Sequence, residues 1–299
     1  MTRSFTSAAT IDEALSALAA GARPVAGGTD LVVGARQGKA PLPEAIVAID
    51  RIDGLGAIEM SDDGLRLGTL VTHGDIVASE EIRTRYTAIA DASAIVGSHA
   101  TRAQGTIGGN VMNASPAMDT GGPLLCFGAI ATLRSPSGLR SIGLDELWTG
   151  PGATSARPDE LLVAIDVPAP VAGTGSCYVR LEYRRQMEIA VVGATAVITI
   201  EGGRVADARV AITALTPTIR RVPEAESALV GTDGGDDAVA NAGAAVAAAS
   251  TPISDVRGSA EYRRAMADVI AKRAIAAALT RASGGRVAIP ASPALHGAS

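Results

Sequence analysis

The sequence predicts an α+β chain of two domains, the second of which is a small antiparallel sheet with helices. Helical and strand patterns alternate through the first fifty residues, and a hairpin pattern follows them. Further along, three strand-like segments precede two helical segments. A chain of 299 residues has room for two domains at about 150 residues each.

The first predicted elements form an α-β-α-β unit over about residues 1–55. Thr10 precedes a helical pattern and Glu13 follows three positions later, the spacing of a capping box, while Gly21 supplies a C-terminal stop. We then expect a short strand at residues 24–26, a helix at residues 31–37 and a buried strand at residues 45–49. This unit is the first subdomain.

The second predicted subdomain covers about residues 56–170. It starts with a hairpin over residues 56–72, whose turn is the Ser-Asp-Asp-Gly of residues 61–64. Helical segments follow near residues 73–79 and 85–96, and strands at residues 129–133 and 161–167. Prolines and glycines cluster just after the last strand, so we place the domain boundary near residue 170.

The C-terminal domain is predicted over residues 171–285. Its strands are expected at residues 177–183, 191–200 and 205–214, and its helices at 237–249 and 259–280. On the last helix, the residues expected to share the apolar face are Tyr262, Met266, Val269, Ile270 and Ala277, and those expected in water are Arg263, Arg264, Lys272 and Arg273. Residues 286–299 are rich in Gly, Pro and Ser and are expected to be a loose tail.

Composition excludes several classes of function. The net charge is −5 and aromatic residues make up only 2% of the chain, which argues against a nucleic-acid-binding protein. Cys126 and Cys177 are too few for a four-cysteine zinc site or an iron–sulfur cluster, and a pair of reduced thiols fits a cytoplasmic protein. The scattered histidines, His73, His99 and His296, suggest packing or capping roles, so we assign no metal ligand.

Nothing in the sequence indicates secretion or a membrane span. The first twenty residues lack a continuous apolar segment, and the longest uncharged stretch, residues 120–133, is shorter than a membrane-spanning helix. We therefore expect a soluble protein in the cytoplasm.

Two glycine-rich segments are the strongest chemical signals. They are residues 26–30 (Ala-Gly-Gly-Thr-Asp) and residues 106–110 (Thr-Ile-Gly-Gly-Asn). Without Cβ atoms, each loop lets backbone N–H groups approach an anion closely, and a concavity of such groups holds a diphosphate. A single Gly-Gly pair is a common turn, but two such segments with polar residues just downstream indicate a ligand site.

Other nucleotide-binding and catalytic motifs are missing. Residues 34–40 are one position too short for a phosphate-binding P-loop and end in Ala40 rather than a hydroxyl residue. Gly54 and Gly56 lack the third glycine of a dinucleotide fingerprint, and no Gly-x-Ser-x-Gly nucleophile motif occurs. We expect Trp148 to be a packing residue, and we assign no catalytic residue.

Taken together, these motifs resemble those of the FAD-binding (medium) subunits of molybdenum-containing hydroxylases, a family that includes xanthine dehydrogenase and carbon monoxide dehydrogenase flavoproteins. Three further stretches carry the resemblance: residues 113–119 (Asn-Ala-Ser-Pro-Ala-Met-Asp), residues 160–168 and residues 184–190. It covers nearly the whole chain. It implies a two-part FAD-binding domain of the vanillyl-alcohol-oxidase type, followed by a small C-terminal antiparallel sheet with helices.

The resemblance also implies a set of FAD-binding residues. The two glycine segments would wrap the diphosphate and ribityl chain, Asp119 would bond the adenosine or ribityl part, the Leu162 backbone would lie near the flavin ring, and Arg180 would place a cation beside it. The residues so implied are Val25, Ala26, Gly27, Gly28, Thr29, Asp30, Leu31, Thr106, Gly108, Gly109, Asn110, Asn113, Ser115, Asp119, Leu162 and Arg180. For Asn113 and Ser115, building a turn is an equal alternative.

Two positions depart from the family pattern. Arg180 stands where the family often has Lys, and Glu188 stands where it has Asp. Both changes are compatible with FAD binding, but they alter which groups the side chains at these two positions can contact. The alternative for Arg180 and Glu188 is an exposed ion pair on an edge strand.

For function, the resemblance implies an electron-transfer subunit that holds FAD. Its partners would be a small subunit with two [2Fe–2S] clusters and a large molybdopterin subunit, in a heterotrimer or its dimer, and the chain alone would not oxidise the organic substrate. Two alternatives stay open: a stand-alone flavoprotein oxidoreductase of the same fold, and an assembly module that has lost its flavin.

Overall fold

The first subdomain is a β-α-β-α-β unit in the protein's computed structural model, which describes residues 3–38, 40–184 and 186–295. Its elements are β1 (Ser4–Ser7), α1 (Ile11–Ala19), β2 (Arg23–Val25), α2 (Leu31–Arg36) and β3 (Ala45–Ala48). The strands form a parallel sheet in the order β1-β3-β2. Strand β1 was not predicted, because all four of its residues are exposed and form no apolar pattern.

Helix α1 begins and ends where the sequence predicts. The Thr10 hydroxyl accepts a hydrogen bond from the Glu13 N–H, and the Glu13 carboxylate accepts one from the Ala9 N–H at 2.7 Å. Gly21, with φ +88°, follows the helix end. The Leu15 and Leu18 side chains are buried against β3, so the helix lies flat on its sheet.

The second subdomain is built on a five-stranded antiparallel sheet. Its elements are β4 (Ile58–Met60), β5 (Gly64–Gly68), α3 (His73–Ala78), α4 (Glu80–Arg85), α5 (Thr87–Ile95), α6 (His99–Arg102), α7 (Ile107–Asn113), α8 (Gly121–Cys126), β6 (Ile130–Ser135), β7 (Gly138–Gly143), α9 (Leu144–Leu147), β8 (Trp148–Gly150), β9 (Ala153–Thr154) and β10 (Leu161–Pro168). The sheet order is β4-β5-β10-β6-β7, and β8 pairs with β9. The predicted hairpin is the β4–β5 pair.

The C-terminal domain is a second antiparallel sheet with helices packed on it. Its elements are β11 (Thr174–Leu181), β12 (Val192–Glu201), β13 (Arg204–Thr213), β14 (Arg220–Arg221), α10 (Pro223–Leu229), α11 (Asp236–Ala249), α12 (Ala260–Ala282) and α13 (Ala291–Leu295). The strand order is β11-β12-β13-β14. The three long strands and helices α11 and α12 match the prediction, whereas the short β14 and α10 were not predicted.

The largest apolar core is shared between the two domains. It joins the five-stranded sheet to the helices packed on it and includes Tyr178, Val197 and Ile219 from the C-terminal domain. Trp148 belongs to this core, and its ring N–H donates to the Val111 carbonyl oxygen at 3.0 Å, so its predicted packing role is confirmed. Among the described residues, none of the helices has the length and apolar character that crossing a membrane requires.

The predicted buried face of α12 is wrong at two positions. Arg263 is 1% exposed, and its guanidinium donates to the backbone carbonyl oxygens of Val191, Ala214 and Ile253. Tyr262 is 41% exposed. Arg263 was expected in water because of its residue type. A helical pattern in the sequence does not show that carbonyl groups from other segments converge on that position.

Part of the expected loose tail is packed. Ala291 and Ser292 are fully buried. The Ala291 N–H donates to the Asp91 carboxylate, and the Ser292 hydroxyl accepts from the Arg180 N–H, both at 3.0 Å. Residues 296–299, with His296, lie outside the described residues, as do Lys39 and Arg185.

Candidate cofactor-binding site

The first glycine segment contacts Gln104 and Gly105, the two residues that lead into the second segment. The Gln104 carbonyl oxygen lies 1.7 Å from the position that a Cβ atom on Gly27 would occupy, so this contact requires glycine. The Thr29 hydroxyl oxygen lies 3.5 Å from the corresponding Cβ position on Gly105. Segments distant in sequence therefore form one surface between the first and second subdomains.

The first glycine segment supplies backbone donors. It connects β2 to α2, and Gly28 has φ +68°, a conformation that favours glycine. Within the described residues, the N–H groups of Gly27, Gly28 and Thr29 donate to no protein acceptor, and all three residues are half-buried. Consecutive N–H groups without protein partners in a sheltered loop are suited to an anion.

The second glycine segment is the start of a helix rather than a turn. Thr106 caps α7 by accepting from the Gly109 N–H at 3.0 Å, and the Asn110 N–H donates to the Thr106 carbonyl oxygen. The N–H groups of Ile107 and Gly108 donate to backbone oxygens that follow β5. The expectation that both segments present free backbone donors is therefore wrong for residues 107–110.

Gly108 and Gly109 have different roles in this helix. A Cβ atom on Gly108 would lie 1.8 Å from the Thr69 hydroxyl oxygen, so Gly108 lets α7 pack against the chain after β5. Gly109 is exposed, and among the described residues beyond its own helix backbone and chain neighbours, the Thr106 hydroxyl is the group found within 4 Å of its Cβ position, at 3.0 Å. Gly109 thus leaves bare backbone surface where a ligand can approach.

Asn110 offers a polar side chain beside this surface. It is half-buried, and its carbonyl oxygen accepts a hydrogen bond from the Thr120 hydroxyl at 2.6 Å. Asn113, also half-buried, ends α7. The Ser115 hydroxyl accepts from the Ala117 N–H at 3.2 Å, which is the turn-building role given above as its alternative.

Asp119 and Arg180 form a buried ion pair between the two domains. The Asp119 carboxylate accepts from the Tyr178 hydroxyl and from the Arg180 guanidinium, both at 2.7 Å. Arg180 also donates to Glu182 at 2.5 Å. Burial raises the pKa of the Asp119 carboxyl, and the Arg180 charge opposes that shift.

The exposed-pair alternative for Arg180 and Glu188 is wrong. Arg180 has no exposed surface, and Glu188 pairs with the exposed Arg184 at 3.1 Å. Because Arg180 and Leu162 are both buried here, at 0% and 3% exposed, the cofactor contacts expected of them remain predictions. Leu162 lies in β10, next to the Val163 carbonyl oxygen that accepts from the Thr69 N–H.

His73 supports the second glycine segment and was not selected from the sequence. Its backbone N–H donates to the Gly105 carbonyl oxygen at 3.0 Å, and its ring carbon Cδ2 lies 3.5 Å from the Cβ position on Gly105. Burial, followed by the charge of Arg102, lowers the pKa of His73 from 6.5 to about 4. The capping box formed by Thr72 and Asp75 was the available signal, since it places His73 at a helix start.

Comparisons with known proteins show what the whole chain is similar to. Residues 1–170 match the FAD binding domain in molybdopterin dehydrogenase, and residues 178–278 match the CO dehydrogenase flavoprotein C-terminal domain. The chain is 33% identical to the carbon monoxide dehydrogenase medium chain of Afipia carboxidovorans, over 90% of this chain and 92% of the relative. It is 32% identical to the 6-hydroxypseudooxynicotine dehydrogenase complex subunit alpha of Paenarthrobacter nicotinovorans, over 91% and 93%.

A solved structure shows the same fold. Carbon monoxide dehydrogenase from Hydrogenophaga pseudoflava, in a form that lacks the Mo-pyranopterin moiety, has a chain that superposes with a TM-score of 0.90 at 31% identity. The match covers 94% of this chain and 98% of that one. The predicted α+β fold, a two-part FAD-binding domain followed by a small antiparallel sheet with helices, is confirmed.

Proposed function

Because the chain belongs to the family of FAD-binding medium subunits of molybdenum hydroxylases, we propose that it is the electron-transfer subunit of such a complex. In this role it takes electrons from [2Fe–2S] clusters of a small partner subunit and passes them to an external acceptor. The organic substrate reacts at a large molybdopterin subunit, so this chain alone does not oxidise it. We place the complex, a heterotrimer or its dimer, in the cytoplasm.

The observation that carries the proposal is the junction of the two glycine segments. A diphosphate is anionic and the chain has a net charge of −5, so binding must come from local donors rather than from the overall field. The unpartnered N–H groups of the first segment provide such donors, and the bare surface of Gly109 provides room. The residues present therefore fit the diphosphate of FAD.

Each segment then has a defined task in holding FAD. The first segment donates to the diphosphate, the second gives close approach and presents the Asn110 amide, and His73 supports the second segment from behind. FAD supplies the redox chemistry when bound, and the chain binds and orients it. Asp119 acts through the buried network that joins the domains.

The cysteines support placing the clusters on a partner. Cys126 and Cys177 are both free and buried, and they belong to different cores. Two separated thiols cannot hold a [2Fe–2S] cluster, which needs four ligands. Free buried thiols also fit a reducing compartment such as the cytoplasm.

The test is FAD binding by the full chain and by Gly109→Val. The wild-type chain should bind FAD in a 1:1 ratio, read from flavin absorbance. Gly109→Val should weaken binding about ten- to hundredfold, since the added methyl groups occupy ligand space. Gly28→Val is less clean, because the positive φ of Gly28 adds backbone strain.

Gly34→Val is the matched control, because it introduces the same side chain. Gly34 also lies in a helix, and among the described residues no atom beyond its own helix backbone and chain neighbours comes within 4 Å of its Cβ position, so FAD binding should not change. Wild-type affinity in Gly109→Val would contradict the site. Turnover of an organic substrate by the isolated chain would favour the stand-alone flavoprotein, and a colourless native complex would favour the assembly module.

A further inference from the structure

We infer that Thr120 is a positioning residue that holds the Asn110 side chain with its amide N–H group, rather than its carbonyl oxygen, facing the bound diphosphate. The inference rests on the proposed function. It concerns a side-chain donor next to Gly109 whose direction depends on a second side chain.

The hydrogen bond between the two residues sets the orientation of the amide. The Thr120 hydroxyl is fully buried and donates to the Asn110 carbonyl oxygen at 2.6 Å. Within the described residues, this hydroxyl makes no other hydrogen bond, so a buried donor depends on that oxygen. Since an asparagine amide carries one oxygen and one NH₂ group, fixing the oxygen toward Thr120 turns the NH₂ group away from it.

The orientation of the Asn110 amide matters because the backbone N–H groups at the start of α7 already have acceptors within the protein. The N–H groups of residues 107–110 all donate to protein oxygens. The Asn110 NH₂ group is thus a donor that α7 can still offer to an anion. With the amide reversed, a carbonyl oxygen would face the phosphates and repel them.

Thr120 is itself held in place by the interface between the domains. Its neighbour Asp119 is bonded to Tyr178 and Arg180, which lie on β11 of the C-terminal sheet. The Thr120 carbonyl oxygen accepts the first hydrogen bond of α8, from the Leu124 N–H. Thr120 is therefore anchored on both sides, as a residue that orients another must be.

The first experiment compares Thr120→Val with Thr120→Ser in the full chain, after FAD is removed and added back. Valine has the shape of threonine without the hydroxyl, and FAD binding should weaken about three- to tenfold, the effect of one hydrogen bond. Serine keeps the hydroxyl and should bind within twofold of wild type. Thr132→Val is the control, because Thr132 is also buried and donates to a carboxylate, that of Asp166 at 2.8 Å, but lies in the sheet. It should leave FAD binding unchanged.

A second experiment separates positioning from a merely structural role. In an Asn110→Ala background, Thr120→Val should cause no further loss of affinity, since Thr120 acts through Asn110. Asn110→Asp should bind FAD more weakly than Asn110→Ala, and the difference should shrink as salt is added, because one carboxylate oxygen then faces the phosphates.

Three results would overturn the inference: Thr120→Val binding within twofold of wild type, an equal loss in the Asn110→Ala background, or Asn110→Asp binding at least as tightly as Asn110→Ala. If Thr120→Val does not fold, the Asn110 variants still decide whether the Asn110 side chain faces the diphosphate, and Thr120→Ser still tests the hydroxyl. A wild-type chain that takes up no FAD would instead overturn the proposed function.

Discussion

Burial sets the charge of His73, a residue beside the candidate site. Its side chain is 1% exposed and lies behind Gly105, and its ring nitrogen Nδ1 lies 3.5 Å from the Ser93 hydroxyl oxygen. Because burial lowers the pKa of His73 to about 4, the imidazole is neutral at pH 7. The second glycine segment therefore rests on an uncharged ring.

This pKa predicts acid sensitivity of the fold. Between pH 6.5 and about 4 the unfolded chain binds a proton at His73 and the folded chain does not, so the free energy of unfolding falls as the pH falls through that window. The contribution of His73 to this fall in the free energy of unfolding should reach about 3 kcal/mol by pH 4. Urea unfolding at pH 7, 5.5 and 4.5 measures it, with His73→Gln as the comparison. If both chains lose stability equally over this range, the neutral-histidine assignment is wrong.

Individual site residues were predictable from the sequence to different degrees. The glycine pairs were visible because Gly-Gly followed by a polar residue is a strong local pattern. The different roles of the two segments were not visible in the sequence, because they depend on tertiary contacts. The second segment donates N–H groups to Thr69 and Val71, whereas the N–H groups of residues 27–29 are free among the described residues. His73 left only the capping signal of Thr72 and Asp75, and no local pattern singled out Thr120, which acts through Asn110.

Among whole elements, prediction succeeded where apolar periodicity was strong. The hairpin β4–β5 and helix α11 have buried faces that the pattern displays, and the strands β11, β12 and β13 are buried over most of their length. It failed for β1, which is exposed, and for the start of α7, where two glycines suggested a turn. Tertiary packing against the Thr69 segment makes that glycine-rich stretch helical.

Helix α12 gives a test at the scale of one element. Arg263 and Arg264 are neighbours on it, but the first is buried and donates to three carbonyl oxygens, whereas the second is exposed and donates to one. Arg263→Met should lower the free energy of unfolding by about 3–5 kcal/mol, because the carbonyl groups lose their donor inside the protein.

Arg264→Met is the matched control on the same helix and should lower the free energy of unfolding by less than about 1 kcal/mol. Chemical unfolding followed by far-UV circular dichroism measures both variants. Equal stabilities would mean that Arg263 is solvated, as the sequence pattern suggested.

At the scale of the whole molecule, one buried carboxylate ties the two domains together. Asp91, on α5, is fully buried and accepts from the Arg281 guanidinium at 2.6 and 3.1 Å. It also accepts from the backbone N–H groups of Tyr178 and Ala291, so β11, α12 and the tail all converge on it. No local pattern predicts this contact, since Asp91 and Arg281 are 190 residues apart.

Removing the arginine should destabilise the whole chain. Burial already raises the pKa of Asp91, and Arg281 opposes that shift, so in Arg281→Met the pKa rises further above its value in the unfolded chain. The variant should lose about 3–5 kcal/mol at pH 7, because a charge stays buried without its partner. Below the raised pKa the folded carboxyl binds a proton that the unfolded chain releases, so the deficit should shrink as the pH is lowered toward 5.

The double variant Asp91→Asn/Arg281→Met should recover part of that stability at pH 7, since no unpaired charge remains inside. Arg66→Met serves as the control: Arg66 pairs with Asp166 at 2.5 Å, but both side chains are more than a third exposed, so the change should cost less than about 1 kcal/mol. Unfolding curves at pH 7 and pH 5 separate these cases. A deficit in Arg281→Met that is the same at both pH values, and that the second substitution does not relieve, would show that the arginine contributes by packing alone. In that case the contact between the domains would owe its strength to the shared apolar core around Tyr178 and Ile219.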